Sequence, residues 1–253
     1  LTNDNGLNLD CNTTNTTITA TGGGTYLWST TETTDNITVS AAGTFTVTVT
    51  GTNGCTATSS VTTTLDNTAP SSSISNDNGL DLNCSITSTT LTANGIGTYL
   101  WSTTETTDAI SVSTAGTFTV TVTGANGCAT TGSVVTTMNN STPTAGISSN
   151  NGLELNCSTI TSLILTATGG NSFLWSTSET TDNITVSNAS TYSVTVTGAN
   201  GCTDTESVDV TLNGTAPTIN LTNDNGLNLD CNTTNTTITA TGGGTYLWST
   251  SET

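Results

Sequence analysis

The sequence predicts an all-β chain, a tandem array of small β-sandwiches of about 73 residues each, and three observations point there. The first is repetition. Trp28, Trp101, Trp175 and Trp248 stand 73, 74 and 73 residues apart, and two cysteine series, Cys11/Cys84/Cys157/Cys231 and Cys55/Cys128/Cys202, keep the same step. The second is alternation with period two. In residues 43–50, Phe45, Val47 and Val49 share one face while Thr44, Thr46, Thr48 and Thr50 share the other, the pattern of a half-buried strand. The third is composition: 70 of the 253 residues are Thr, a β-branched residue that suits strands, and helix signals are missing.

Taken in order, the first unit alternates at Leu7, Leu9 and Cys11, at Ile18 and Ala20, at Tyr26 and Trp28, at Ile37 and Val39, through 43–50, and at Cys55, Ala57, Val61 and Leu65. Asn5-Gly6, Gly22-Gly23-Gly24 and 51–54 separate these runs and suit tight turns that need positive φ. Six or seven short strands around one Trp are the pattern of an immunoglobulin-like sandwich. The expected domains are 1–73, 74–146 and 147–220, with 221–253 the start of a fourth. Linkers fall at 66–73, 139–145 and 213–218, each with a proline (Pro70, Pro143, Pro217) that stiffens the junction. Residues 221–250 repeat 1–30 without a change, whereas neighbouring units differ at many positions. The larger period is therefore 220 residues, and the chain reads as a stretch of a longer repetitive protein.

Charge narrows the function. Lys, Arg and His are all absent and 18 acids leave a formal charge of -18, so no side chain neutralises a phosphate, and nucleic acid and anionic membranes are poor partners. The same absence removes imidazole, amine and guanidinium chemistry, and with it most routes to an enzyme. Charged residues are only 7% of the chain, unlike a disordered polyelectrolyte. No apolar run approaches the ~20 residues of a membrane span, and nothing at Leu1 resembles a signal peptide. Regularly spaced cysteines in small units favour an oxidising, extracellular or cell-surface location.

The run TYLWSTTETTDNITVSAAGTFTVTVTGTNGC, echoed in every unit, resembles the tandem immunoglobulin-like repeats of very large secreted cell-surface and gliding adhesins of Bacteroidetes. The likeness is most specific at Trp28 with its following Ser-Thr, at Gly43-Thr44-Phe45 and at Asn53-Gly54-Cys55. It implies extended, secreted stalks or filaments. Without Lys, the Lys-Asn isopeptide crosslinks of some pilin sandwiches are excluded.

Four sets of residues are candidates for a site. The aromatics Tyr26/Trp28, Tyr99/Trp101, Phe173/Trp175 and Tyr246/Trp248 could form a sugar-stacking platform, but filling the core is the expected role, above all for Trp28, Trp101, Trp175 and Trp248. The acids Glu32 and Asp35, Glu105 and Asp108, and Glu179 and Asp182 recur after each Trp and could begin a calcium site, which wants six to eight oxygens, or be solvated loop charges. Junction acids Asp4, Asp77 and Asp224 give way to Asn150 in the third unit, which argues against a calcium set at every junction. Otherwise no cofactor is expected. Sequons such as Asn12-Thr13-Thr14 and Asn36-Ile37-Thr38 are frequent in so Asn- and Thr-rich a chain.

The cysteines lack C-x-x-C spacing and any His, so disulfides are favoured over zinc. In an immunoglobulin topology the Cys11 and Cys55 turns lie at opposite ends of the sandwich. Residues 43–50 alone span about 26 Å at ~3.3 Å per residue, against the ~4.4 to 6.8 Å Cα separation of a disulfide. That favours bonds between repeats, Cys11–Cys128 and Cys84–Cys202, with Cys55, Cys157 and Cys231 pairing beyond this stretch. Bonds within repeats, Cys11–Cys55, Cys84–Cys128 and Cys157–Cys202, are the alternative and need a different strand order. The function expected is the shaft of an extracellular filament or giant adhesin, with neighbouring repeats and copies of itself as partners. The rival is a binding module whose loops contact a glycan or host protein.

Overall fold

A computed structural model describes residues 1–250. These form 23 β-strands and contain no helix, hence none long and apolar enough to cross a membrane. The chain divides into two compact units, 1–141 with 200–202, and 142–199 with 203–253.

The first unit opens with β1 (Thr2–Asn3), β2 (Asn8–Asp10), β3 (Thr16–Thr19), β4 (Thr25–Trp28), β5 (Asn36–Val39), β6 (Gly43–Thr50) and β7 (Thr56–Asp66). They make a three-stranded sheet, β1-β3-β5, and a four-stranded sheet, β2-β7-β6-β4. All pairs are antiparallel except β2 with β7, which run parallel with Leu9 opposite Leu65 and Asp10 opposite Asp66. The pattern recurs in β8 (Ser73–Asn76), β9 (Asp81–Asn83), β10 (Thr89–Asn94), β11 (Thr98–Trp101), β12 (Ala109–Val112), β13 (Gly116–Thr123) and β14 (Ala129–Asn139) as sheets β12-β10-β8 and β11-β13-β14-β9.

The second unit holds β15 (Gly146–Ser149), β16 (Glu154–Asn156), β17 (Leu163–Thr168), β18 (Ser172–Trp175), β19 (Asn183–Val186), β20 (Ser190–Thr197) and β21 (Thr203–Asn213) in the same two sheets, then β22 (Asn220–Asn223) paired with β23 (Ile238–Thr241). The fold is therefore all-β, with a repeating pair of facing sheets.

Alternation places the core. Ile18, Ala20, Ile37, Val39 and Val47 close around Trp28 in the first repeat, and equivalent sets close around Trp101 and Trp175. These three indoles are 2% exposed, and each Nε1 donates to a carbonyl six residues on: Thr34, Thr107 or Thr181. Trp28, Trp101 and Trp175 are thus core, with Tyr26, Tyr99 and Phe173 half-buried beside them. Trp248 differs: it is only partly buried, because residues 221–250 hold no counterpart of β6 and β7 to cover it.

Ala57 and Leu65, expected on the apolar side of β7, are exposed. That strand has 11 residues, whereas the strands of the facing sheet have two to four. Its ends overhang the core, and only Val61 and Thr63 in its middle are covered. Buried Thr63 keeps its hydroxyl satisfied by donating to the Ala41 carbonyl at 2.7 Å, as Thr136 does to Thr114.

Truncating Trp101 to Ala would remove the largest side chain of its core. We expect a loss of about 3 to 5 kcal/mol, read as a lower denaturant midpoint; Leu100→Ala, at a neighbouring position 55% exposed, should leave the midpoint within ~0.5 kcal/mol of the parent.

Candidate functional site: the junction between repeats

Each repeat-to-repeat junction in the first unit is built from three turns. Asp10 makes an Asx turn after β2, its Oδ1 accepting from the backbone N–H of Asn12 (2.9 Å) and Thr13 (2.7 Å). Cys11 sits at the apex. In the next repeat Asn83 holds Cys84 in the same way, accepting from Ser85 and Ile86. The second turn joins β13 to β14: Cys128 N donates to Asn126 Oδ1, Gly127 N to the Gly124 carbonyl, and Gly127 has φ +75°. The third is the linker after β7.

The side chains meet there. Cys11 is bonded to Cys128 with Cα atoms 5.0 Å apart, and Cys84 to Cys202 at 4.9 Å. Around the first bond, Cys11 N donates to the Asn126 carbonyl, and Asn126 Nδ2 donates to the Asp66 (3.3 Å) and Thr68 (3.0 Å) carbonyls of the preceding linker. Around the second, Asn200 Nδ2 donates to the Asn139 and Ser141 carbonyls. The left-handed φ favours glycine between Asn and Cys, and a Cβ on Gly127, 2.1 Å from Asn12 Oδ1, would displace that amide.

The bonds join repeats. Pairing within a repeat is prevented by the parallel register of β2 and β7: Cys11 follows the end of β2, beside Asp66 at the end of β7, whereas Cys55 precedes Thr56 at its start. Eleven residues of strand separate them by about 36 Å. Cys55, Cys157 and Cys231 are unbonded and exposed.

The recurring acids lie on the loop after each Trp. Glu32, Asp35, Glu105, Asp108, Glu179 and Asp182 are all exposed, and among the described residues no three Cys, Asp or Glu side chains gather as metal ligands. These positions also act through their main chains, which close the Trp loop. Trp28 N donates to the Glu32 carbonyl, Trp101 N to that of Glu105 and Trp175 N to that of Glu179, each at 2.9 Å. Ala20 N donates to the Asp35 carbonyl (2.8 Å), Ala93 N to that of Asp108 (2.8 Å) and Ala167 N to that of Asp182 (2.7 Å). The Asp35 and Asp182 carboxylates accept from the amides of Asn36 and Asn183; Asp108 is followed by Ala109 and has no such neighbour. Thr31, Thr104 and Ser178 take φ of 76° to 79° in this loop, a left-handed turn that only a closely tied segment sustains.

Junction acids tie β1 to β3. Asp4 Oδ1 accepts from Thr17 N (2.7 Å) and the buried Thr16 hydroxyl (3.1 Å), and Asp77 from Thr90 N and Thr89. These hydrogen bonds, the backbone one foremost, hold both carboxyls below the usual range. Asn150 does the same work neutrally, accepting from Ile164 N at 2.9 Å. There the hydroxyl donor is gone too: Leu163 stands in register where Thr16 and Thr89 stand. The change from acid to amide thus coincides with the loss of its hydroxyl partner.

No protein-family model matches the sequence, and no curated protein matches it. Solved structures similar to the chain include a Ca2+-stabilized adhesin that helps an Antarctic bacterium reach out and bind ice (20% identity over 82% of this chain and 71% of that one, TM-score 0.42). Another is a tetra-tandem repeat in the extending region of a large adhesion protein (14%, 90% and 83%, TM-score 0.21). A third is a protein of the Bacteroides ovatus mixed-linkage glucan utilization locus in complex with a mixed-linkage heptasaccharide (14%, 84% and 66%, TM-score 0.19).

A depressed carboxyl pKa contributes stability that is present above the unfolded value, near 3.9, and is lost as pH falls through the folded one. The melting temperature should therefore fall more steeply below about pH 4 for the parent than for Asp77→Asn, which copies the Asn150 tie. Comparing the two cancels the shared loss of acidic repulsion; parallel acid limbs in a calorimetric pH series would show that the Asp77 charge is not coupled to folding.

Proposed function

We propose that this chain is a structural stretch of the shaft of an extracellular filament or giant cell-surface adhesin. The observation that supports it most is the junction: every described bond between cysteines links one repeat to the next, and Asn126 and Asn200 reinforce those links. A linker tied in this way transmits tension. The segments 1–73, 74–146, 147–220 and 221–253 are, on this proposal, its successive modules. The resemblance to Bacteroidetes gliding adhesins agrees with it, as do an oxidising location and the absence of every basic side chain. Enzymatic activity forms no part of the proposal.

The competing role, a binding module, is disfavoured by what the most constant loop does. Residues 29–35 recur almost unchanged in each repeat because they clamp the core Trp, so their constancy serves folding rather than a ligand. Antibodies against the chain, used in negative-stain microscopy of native surface material, should decorate filaments with an axial repeat of ~3 to 4 nm, the length of eight to eleven strand residues with their loops. Decoration of compact particles would contradict the shaft. An acid-only surface should also make side-by-side bundling of such filaments increase with salt, divalent cations or pH near 4; bundling indifferent to all three would show that charge does not limit it.

A further inference from the structure

The outward face of each four-stranded sheet is broad, nearly free of charge and built alike in the three repeats. Across it runs a row of one leucine and two threonines: Leu27 pairs with Thr48 and Thr48 with Thr58, and Leu100–Thr121–Thr131 and Leu174–Thr195–Thr205 repeat the row. Each leucine stands between two residues that face the core, so it points away from it; the three are 54%, 55% and 53% exposed. The hydroxyls are partly satisfied within the face. Thr121 and Thr131 share a hydrogen bond at 3.2 Å, Thr195 and Thr205 one at 3.3 Å, and Thr44 and Thr62 one at 3.0 Å, which lowers the penalty for burying them. Leu100 is exposed although its repeat has another on either side in sequence. Its exposure therefore owes nothing to the chain's ends.

The 18 acids of the chain avoid the middle of this face. In the first two repeats β4, β6, β11, β13 and β14 contain none, and β7 has only Asp66, its last residue, beside the linker. In the third, Asp204 and Glu206 share the side of β21 with Val208 and Val210, which pack in the core. That leaves Asp209, whose carboxylate accepts from the Thr191 hydroxyl at 2.6 Å. Asp10, Asp81 and Glu154 stand at the rim, on the short edge strands β2, β9 and β16. The outward face of the three-stranded sheet is also uncharged along its strands, but those strands are shorter and carry no recurring apolar residue: Thr17 and Thr90 stand where Ile164 does.

We propose that this leucine-threonine face is where copies of the chain pack side by side, the face of one copy against the same face of another. A basic partner would be drawn to the acidic loops and rim instead, and a glycan would find no exposed aromatic ring among the described residues on which to stack. A second copy offers the matching surface. Its leucines and threonines meet their like in an isologous contact, and no acid is brought against an acid at the centre. Strands of eight residues lying ~4.8 Å apart give each repeat a patch of about 300 Å². One repeat on one thus buries about 600 Å², half of the ~1,200 Å² of a stable interface. Several patches engaged together reach that size, so pairing depends on repetition. It also depends on salt, because the rim acids of two copies repel until they are screened. The inference deepens the shaft proposal by giving its lateral contacts a place, and rests on that reading for its role alone.

The test is sedimentation equilibrium of the whole 253-residue chain, oxidised, from about 10 µM to about 1 mM, with the exposed thiols capped by iodoacetamide. In about 0.5 M sodium chloride, where the Debye length is about 4 Å, the parent should associate reversibly, and less so in about 10 mM salt. The double variant Leu100→Asp, Leu174→Asp should weaken association at least about ten-fold in high salt. Ser111→Asp, Thr185→Asp adds the same two charges at exposed positions of the three-stranded sheets and should leave association within about two-fold of the parent. If the leucine variant does not melt as the parent does, Leu100→Thr, Leu174→Thr, which places there the residue already standing beside both, should weaken association without adding charge. A parent that stays monomeric in high salt, equal losses from the two charged variants, or no loss from either leucine variant would each overturn the proposal. So would a monomeric parent that binds dextran through Leu100 and Leu174, which would give the face to a neutral polysaccharide. Peptide mapping of a monomeric parent that still recovers Cys11 with Cys128 and Cys84 with Cys202 would overturn this inference while leaving the shaft proposal standing.

Discussion

Parallel pairing of the short second strand with the long last strand of each repeat is the constraint on which the junction depends. A parallel pair cannot be closed by a tight turn, so β2 and β7 are joined through the rest of the sandwich and their C-terminal ends fall side by side. That puts the Asp-Cys turn and the exit into the linker at one end. The Asn-Gly-Cys turn before β7 is carried to the far end. Across the linker Cys11 meets Cys128, and Cys84 meets Cys202. Strand order thus decides the covalent topology.

Small modules need this support. A unit of about 73 residues buries a limited core, here one Trp and a few Val, Ile and Leu, under a four-stranded sheet whose longest strand overhangs its partner. The remaining organisation is largely polar and local: the indole N–H on a loop carbonyl, a Thr hydroxyl on a main-chain oxygen, Asx turns after β1, β2 and β7. Such ties fix geometry without much apolar area. They explain how a chain with 32% hydrophobic residues and no basic side chain specifies one fold.

Much of this was legible beforehand, and the failures have physical causes. The period-two runs located the strands, and the Trp spacing located the repeats, because burial on one face leaves an alternation that a one-residue slip would destroy. Ala57 and Leu65 misled because alternation reports which face a residue shares, not whether the facing sheet reaches that far. The carboxylates of Glu32 and Asp35, and of Glu105, Asp108, Glu179 and Asp182, were legible in the sequence, but not the carbonyls through which the same residues close the Trp loop, because every residue has one. Residues 51–54 are legible as a turn, but the donation that Asn126, the counterpart of Asn53, makes to the preceding linker is not. The recurrence of Asn before each Gly-Cys was the available signal, but nothing in a sequence says that a turn in one repeat donates to the linker of the previous one. Asn150, an exception to an acidic pattern, was the most informative single letter, since it separated a hydrogen-bond acceptor from a charge.

The central claim is that tension on the chain passes through the bonds between repeats. Pulling a single molecule by handles placed just outside Cys11 and Cys202 tests it directly. With the bonds intact the load path crosses from Cys11 to Cys128, returns along the chain to Cys84 and crosses to Cys202. Only the 44 residues between 84 and 128 can then extend, to about 150 Å at ~3.3 to 3.6 Å each. Reduction should release the whole interval, about 650 Å. An oxidised molecule that extends to about 200 Å, the reach of residues 55–84 and 128–157 left between bonds closed within repeats, or one that extends to about 650 Å without reduction, would contradict the account.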